Sequence, residues 1–364
     1  MEVKNAEPSK KRRRVARRNK QSTTTIPPHL LGIHVSPYLN RSAWNTLSVA
    51  CQELNHASNN FISPPWPDNS RHDFDHVVNT VAFAPASGDN KLSVALSDST
   101  IHNMDRRLGR YKAVETGEHD DVTCLAYSRD GKLLASSDEN GIIRLWDTTD
   151  GDTFRCIKAW SGDFKPVCTL AFSPDGKYLV TGSRGSTICF WGIPDGSRFR
   201  TLRGHSCCVS SLSLSPDGLL LASASYDKTV RLWNLRKEAI NEKSIVLCSQ
   251  EQWVKTVCFS PDGKYVACGH SDYSVQLWNC HDFTCVRTFR GHRDLIAAIV
   301  FSPDGSKLIS GGDDRTIRVW NIETAECERI LEGHTNQIRT VAVSSDGKTL
   351  ASGGWDRTVR LWRI

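Results

Sequence analysis

The chain has 364 residues, 39% of them hydrophobic and 24% charged, which is too long for one ordinary core and calls for several domains or one architecture that grows by repetition. No apolar run approaches the roughly 18 residues of a membrane helix, and a run of charges precedes the first apolar stretch, so neither a membrane span nor a signal peptide is expected. Thirteen cysteines without recurring close pairs indicate neither a disulfide framework nor a zinc ribbon, and place the chain in a reducing compartment, nucleus or cytosol.

The net charge of +6 is concentrated at one end. Residues 1–25 carry nine bases and two acids, whereas the rest of the chain holds 37 bases and 38 acids. Like charges at this density repel and bury nothing, so residues 1–25 are expected to be a disordered basic tail. The run Lys10, Lys11, Arg12, Arg13, Arg14, followed by Val15, resembles a monopartite nuclear import signal, which implies an import receptor as partner and the nucleus, besides the cytoplasm, as location. Nucleic-acid contact by counterion release, or a solubilising tail, are the alternatives.

Residues 26–58 read as helical. Pro27 and Pro28 stand at an opening, and apolar residues recur at Leu30, Leu31, Ile33 and Val35, then at Tyr38 and Leu39. A second amphipathic stretch has Trp44, Leu47, Cys51 and Leu54, at spacings of 3, 4 and 3. This pattern resembles an F-box. The resemblance implies that Pro27, Leu30, Leu31, Leu39, Leu47, Cys51 and Leu54 dock on the small adaptor of a cullin-RING ubiquitin ligase. A helical pair packed against the following domain is the alternative.

From residue 59 onward one unit recurs. Its closing phrase appears as Ile143-Arg144-Leu145-Trp146, Ile188-Cys189-Phe190-Trp191, Val230-Arg231-Leu232-Trp233, Val275-Gln276-Leu277-Trp278, Ile317-Arg318-Val319-Trp320 and Val359-Arg360-Leu361-Trp362. A degenerate first copy ends in Met104, and successive marker positions lie 42, 45, 42, 45, 42 and 42 residues apart. Each unit holds an alternating strand such as residues 209–214, a Ser215-Pro216-Asp217-Gly218 turn, a second strand over 219–225, a turn at 226–228 and the Trp strand. A less regular strand precedes the next unit. Four strands per unit and a Trp-Asp-like ending resemble the WD-repeat family, which implies an all-β, seven-bladed β-propeller over residues 59–364. The last unit has three strands of its own, so its outer strand is expected from within 60–74, which would join the ends of the ring.

Three units repeat a His, a Ser and an Asp: His205, Ser223 and Asp227; His292, Ser310 and Asp314; His334, Ser352 and Asp356. A catalytic triad needs one activated serine in one cleft, and the same set in blade after blade argues against catalysis. In the family resembled, these residues with Trp233, Trp320 and Trp362 form a buried structural tetrad. Blades one to three and five lack parts of the set and are expected to be softer.

Two positions vary from blade to blade. One follows the leading residue of the first strand: Asn79, Thr123, Cys168, Ser210, Lys255, Ala297 and Arg339. The other precedes the turn Asp: Ser97, Glu139, Arg184, Tyr226, Ser271, Asp313 and Trp355. In propellers that resemble this one, such positions ring the narrow face of the central channel and contact ligands. Arg184, Tyr226, Trp253, Lys255, Arg339 and Trp355 are therefore the candidate partner-binding set, being of the types that dominate hot spots. Their bases suit an acidic or phosphorylated peptide. No catalytic residue, metal site or cofactor is expected. The reading is a non-catalytic protein-interaction module, a substrate receptor of an F-box type ubiquitin ligase, with a nuclear scaffold for chromatin or ribosome assembly as the alternative.

Overall fold

A computed structural model describes residues 70–85, 91–105, 110–116, 121–150, 154–162, 165–236, 244–249 and 252–364. The basic run Lys10–Arg14 and the helical pattern of residues 26–58 lie outside the described residues, so the import and adaptor expectations are carried by sequence alone.

The described residues form 28 strands in seven four-stranded antiparallel sheets, an all-β propeller of seven blades. Among them no helix is long and apolar enough to cross a membrane. Blade four shows how the sequence builds a blade. Its first strand is Val209–Leu214. The turn that follows reverses the chain because Gly218 adopts a φ of +71°, while Ser215 Oγ accepts the amide of Leu220 at 2.9 Å and Asp217 Oδ1 that of Leu219 at 3.0 Å. The second strand, Leu220–Ser225, is buried from Leu221 onward, which explains its small and apolar residues: it lies covered on both faces. Thr229–Asn234 brings Trp233 into the core, and Ile245–Ser249 forms the outer edge.

The core lies between blades. Val209 and Leu212 of blade four pack with Val180, Ile188, Phe190 and Leu202 of blade three, and each such side chain contributes about 1.5–3 kcal/mol when fully buried. The same arrangement joins Val78, Val81 and Phe83 of blade one to Ala351, Val359 and Leu361 of blade seven. There the Val78 side chain packs so tightly on Gly353 that a Cβ at that glycine would come within 2.3 Å of Val78 Cγ1.

The ring closes with residues from both ends of the described chain. Strand Arg71–Asp73 pairs antiparallel with Thr358–Arg363, with His72 opposite Val359. Backbone bonds from Phe74 N to Arg357 O and from Leu361 N to Ser70 O, both 2.9 Å, extend the pairing. Blade seven thus holds its own three strands and one from upstream, which gives it the same four-stranded sheet as the other six.

In blades four, six and seven a bonded series crosses the blade. The indole Nε1 of Trp233, Trp320 and Trp362 donates to Ser223, Ser310 and Ser352 at 2.8 Å in each case. Each serine hydroxyl lies 2.7 Å from Nε2 of His205, His292 or His334. Each Nδ1 meets Asp227, Asp314 or Asp356 at 2.7, 2.8 and 2.9 Å. Since the serine oxygen takes the indole proton, its own proton faces Nε2, and Nδ1–H is left for the carboxylate. Burial opposes charge on these aspartates, but the imidazole, hydroxyl and amide donors outweigh it and hold each carboxyl far below the usual carboxylate range. The three serines are completely buried, which leaves them no route to a substrate.

The other blades solve the same problem differently. Blade three uses Thr181 as the acceptor for Trp191, at 2.9 Å. Blade two bonds Trp146 to Ser136 at 2.8 Å and adds a buried ion pair of 2.6 Å between Arg144 and Asp138. In blade one, the position of the hydroxyl is Val94 and that of the indole is Met104, so donor and acceptor are lost together. Blade five places Cys268 there, 3.2 Å from buried His270.

Candidate partner-binding face

Each first strand carries a bulge at its second residue: Asn79, Thr123, Cys168, Ser210, Lys255, Ala297 and Arg339. A bulge takes one residue out of the ladder and re-aims its side chain. The second variable series lies beside the first. Ser97, Glu139, Arg184, Tyr226, Ser271, Asp313 and Trp355 each donate their amide, at 2.8–3.2 Å, to the carbonyl of the residue just before their blade's first strand. Both series therefore sit at one end of every blade, where first strands begin and second strands finish.

The bulge residues divide into two groups. Asn79, Thr123 and Ser210 point at the next blade and donate to the carbonyls of Val122, Val167 and Val254, at 3.0, 2.7 and 2.8 Å. They staple blade to blade. Lys255 instead turns back to blade four, where its Nζ donates to Tyr226 Oη at 2.8 Å and lies 5.4 Å from the centre of that ring. Tyr226 in turn tilts against Trp253, with ring centres 5.8 Å apart. On blade seven the Arg339 guanidinium sits 5.2 Å from the centre of the Trp355 ring. Trp253 and Trp355 remain 55% and 47% exposed, although Trp253 already rests on the Tyr226 ring and Trp355 on the Arg339 guanidinium. Tyr273, on the turn after Ser271, adds a third exposed aromatic.

Arg184 is exposed and lies within electrostatic reach of Cys168, as does Lys255. Arg339 is within reach of Asp121, Asp313 and Glu139. Burial and neighbouring Asp294 push the Asp313 carboxyl above its ordinary value, while Lys255 and Arg339 pull it back. The cations of this face are thus answered by acids from blades two and six. The surface is aromatic and mixed in charge, so a uniformly acidic or phosphorylated ligand finds fewer unopposed bases here than the list of basic residues suggests.

Sequence reasoning missed Asp121, Asp294, Tyr273 and Cys208 as members of this face. Cys189 and Cys268 are buried, but the Cys168 thiol lies 3.5 Å from that of Cys208 on the neighbouring blade. Among the described residues no group of three or more His, Cys, Asp or Glu is arranged to hold a metal ion.

Two curated relatives resemble a short part of the chain. THO complex subunit 6 homolog of Danio rerio is 37% identical over 83 residues, 22% of this chain and 25% of that protein. THO complex subunit 6 of Homo sapiens is 29% identical over 83 residues, 23% of this chain and 24% of that protein. The chain thus spans about a quarter of the length of these relatives. The repeat family described as "WD domain, G-beta repeat" matches residues 111–147, 154–192, 196–234, 242–279, 283–321 and 325–363. Each match starts in or just before the outer strand of one blade and ends with the third strand of the next, so the sequence repeat interlocks neighbouring blades. The strands of residues 71–105 complete a seventh, unmatched copy. With more than half of its length matched and seven four-stranded blades in a closed ring, the chain belongs to the WD-repeat family.

Proposed function

We propose that this chain is a non-catalytic scaffold subunit of a multiprotein assembly and captures a protein segment with the aromatic and cationic group Tyr226, Trp253, Lys255, Arg339 and Trp355. One observation carries the reading. Trp253 and Trp355 stand outside the tryptophan series of the third strands and remain about half exposed, each braced by an aromatic or cationic neighbour. Rigid, pre-packed aromatics of this kind bind at low entropic cost. The two relatives are named as complex subunits, which agrees with a scaffold. The basic run Lys10–Arg14 supports a nuclear location. The test is affinity purification of the full chain followed by size-exclusion chromatography. Partners should co-elute with it at fixed stoichiometry, and a chain that elutes alone at physiological salt contradicts the reading. Deleting residues 1–20 from a fluorescent fusion should abolish nuclear accumulation; unchanged accumulation removes the import signal.

A second reading rests on the pattern of residues 26–58. There the chain is the substrate receptor of a cullin-RING ubiquitin ligase, with Leu30 and Leu31 on the adaptor. Co-purification of the adaptor, lost on Leu30→Asp, supports it. Absence of adaptor from the intact complex leaves the scaffold.

A further inference from the structure

We propose that Cys168 and Cys208 form an oxidative modification site, a thiol pair that peroxide converts to a disulfide linking the first strands of blades three and four. Cys168 is the bulge residue of Val167–Phe172, and Cys208 immediately precedes Val209–Leu214. The two strands are neighbours, tied by a 3.1 Å bond from Leu212 N to Thr169 Oγ1. In other blades the bulge side chain, as in Thr123 and Ser210, donates to the carbonyl of the next blade's leading valine. Cys168 breaks that pattern and meets the Cys208 thiol at 3.5 Å instead. A disulfide needs the sulfurs about 1.5 Å closer. Both thiols are partly exposed, so a small oxidant can arrive.

The surroundings favour a reactive thiolate. The Cys208 thiol donates toward Cys168, burial resists, and Arg184 and Lys255 add positive charge, so that Cys168 is brought down to about 7. Cys208 is correspondingly raised by the same shared proton. The thiolate therefore forms at Cys168, which attacks first; once it is oxidised its negative charge no longer raises Cys208, which then resolves. The Cys168 thiolate attacks one peroxide oxygen. An S–O bond forms, the O–O bond breaks, and the leaving hydroxide takes up a proton to become water. The Cys208 sulfur then attacks the Cys168 sulfenic acid, the S–O bond breaks, and a second water leaves with the Cys208 proton. Two thiols are oxidised as one peroxide is reduced to two waters. The Cys208 carbonyl also holds the Tyr226 amide at 3.0 Å, so the modification falls within the aromatic face.

The test treats the full chain with hydrogen peroxide, alkylates the remaining thiols and maps disulfide-linked peptides by mass spectrometry without reduction. The expected product links Cys168 to Cys208, disappears in Cys168→Ser and in Cys208→Ser, and persists in Cys207→Ser. Serine is tolerated at position 168, since Ser210 occupies the equivalent position in blade four. Linkage of Cys168 to exposed Cys207, or full alkylation of Cys168 and Cys208 under conditions that oxidise exposed Cys156 and Cys285, overturns the proposal.

Discussion

Lys255 donates a 2.8 Å hydrogen bond to the hydroxyl oxygen of Tyr226, although the two residues belong to different blades. The bond fixes a cation at the hydroxyl edge of an aromatic ring whose other neighbour is Trp253. Lys255→Ala and Tyr226→Phe should each weaken partner binding, and their effects should fall short of additive by about 0.5–2 kcal/mol, since each removes the same support. A double-mutant cycle by calorimetry reads this coupling. Strict additivity shows that the bond does not organise the face.

The bonded series of blade six gives a stability prediction. Asp314→Ala leaves the buried Nδ1–H of His292 without its 2.8 Å acceptor and should cost about 1–3 kcal/mol in urea denaturation. Replacing exposed Glu332 with alanine should stay within about 0.5 kcal/mol.

Acid should weaken the fold through the same residues. Asp227, Asp314 and Asp356 have carboxyls held below the ordinary value of 3.8. In the unfolded chain they take up protons at a pH where the folded chain still does not, so stability rises with pH in that window. Their contribution is complete above the unfolded value and is lost as pH falls through 4 and below. The urea midpoint should change little on their account between pH 7 and 5 and then drop. In Asp314→Ala the acid-induced drop should be shallower; an unchanged slope would mean that Asp314 is not the titrating group.

Ring closure depends on a short strand. Removing residues 1–75 deletes Arg71–Asp73, its three register pairs and the flanking backbone bonds. At about 1 kcal/mol for each bond, the melting temperature should fall by roughly 5–10 °C relative to a chain lacking residues 1–69. Equal melting temperatures for the two truncations contradict this closure.

Much of the blade was legible because its grammar repeats. Trp233, Gly218 and Ser223 recur at fixed offsets, and turn chemistry marks where each strand stops. The bulges went unread, because residues 209–214 pass for an alternating strand, although the residues carry a sign of them. Val209 and Leu212, like Val254 and Val257, are apolar residues three apart inside a strand, a spacing that strict alternation forbids and that a one-residue bulge produces. Other features leave no local mark. Arg144 stands at the same place in its repeat as Arg231, Arg318 and Arg360, yet Arg144 alone of these is fully buried, on Asp138. The partners of Lys255, Arg339 and Cys168 come from other blades, dozens of residues away in sequence. Candidate positions could therefore be read from the repeat, whereas their pairing required the ring.

The central claim is that this face, and not the outer edges of the blades, holds the partner. The direct measurement is the affinity of a recovered partner for Trp253→Ala/Trp355→Ala compared with Phe199→Ala/Ile330→Ala, whose side chains are equally exposed on outer strands. Both double variants should keep the circular dichroism spectrum of the parent chain. The first pair should lose binding by at least roughly 30-fold, as two hot-spot truncations imply, and the second should bind as the parent does. Undiminished affinity in Trp253→Ala/Trp355→Ala, or loss only in Phe199→Ala/Ile330→Ala, would contradict the account.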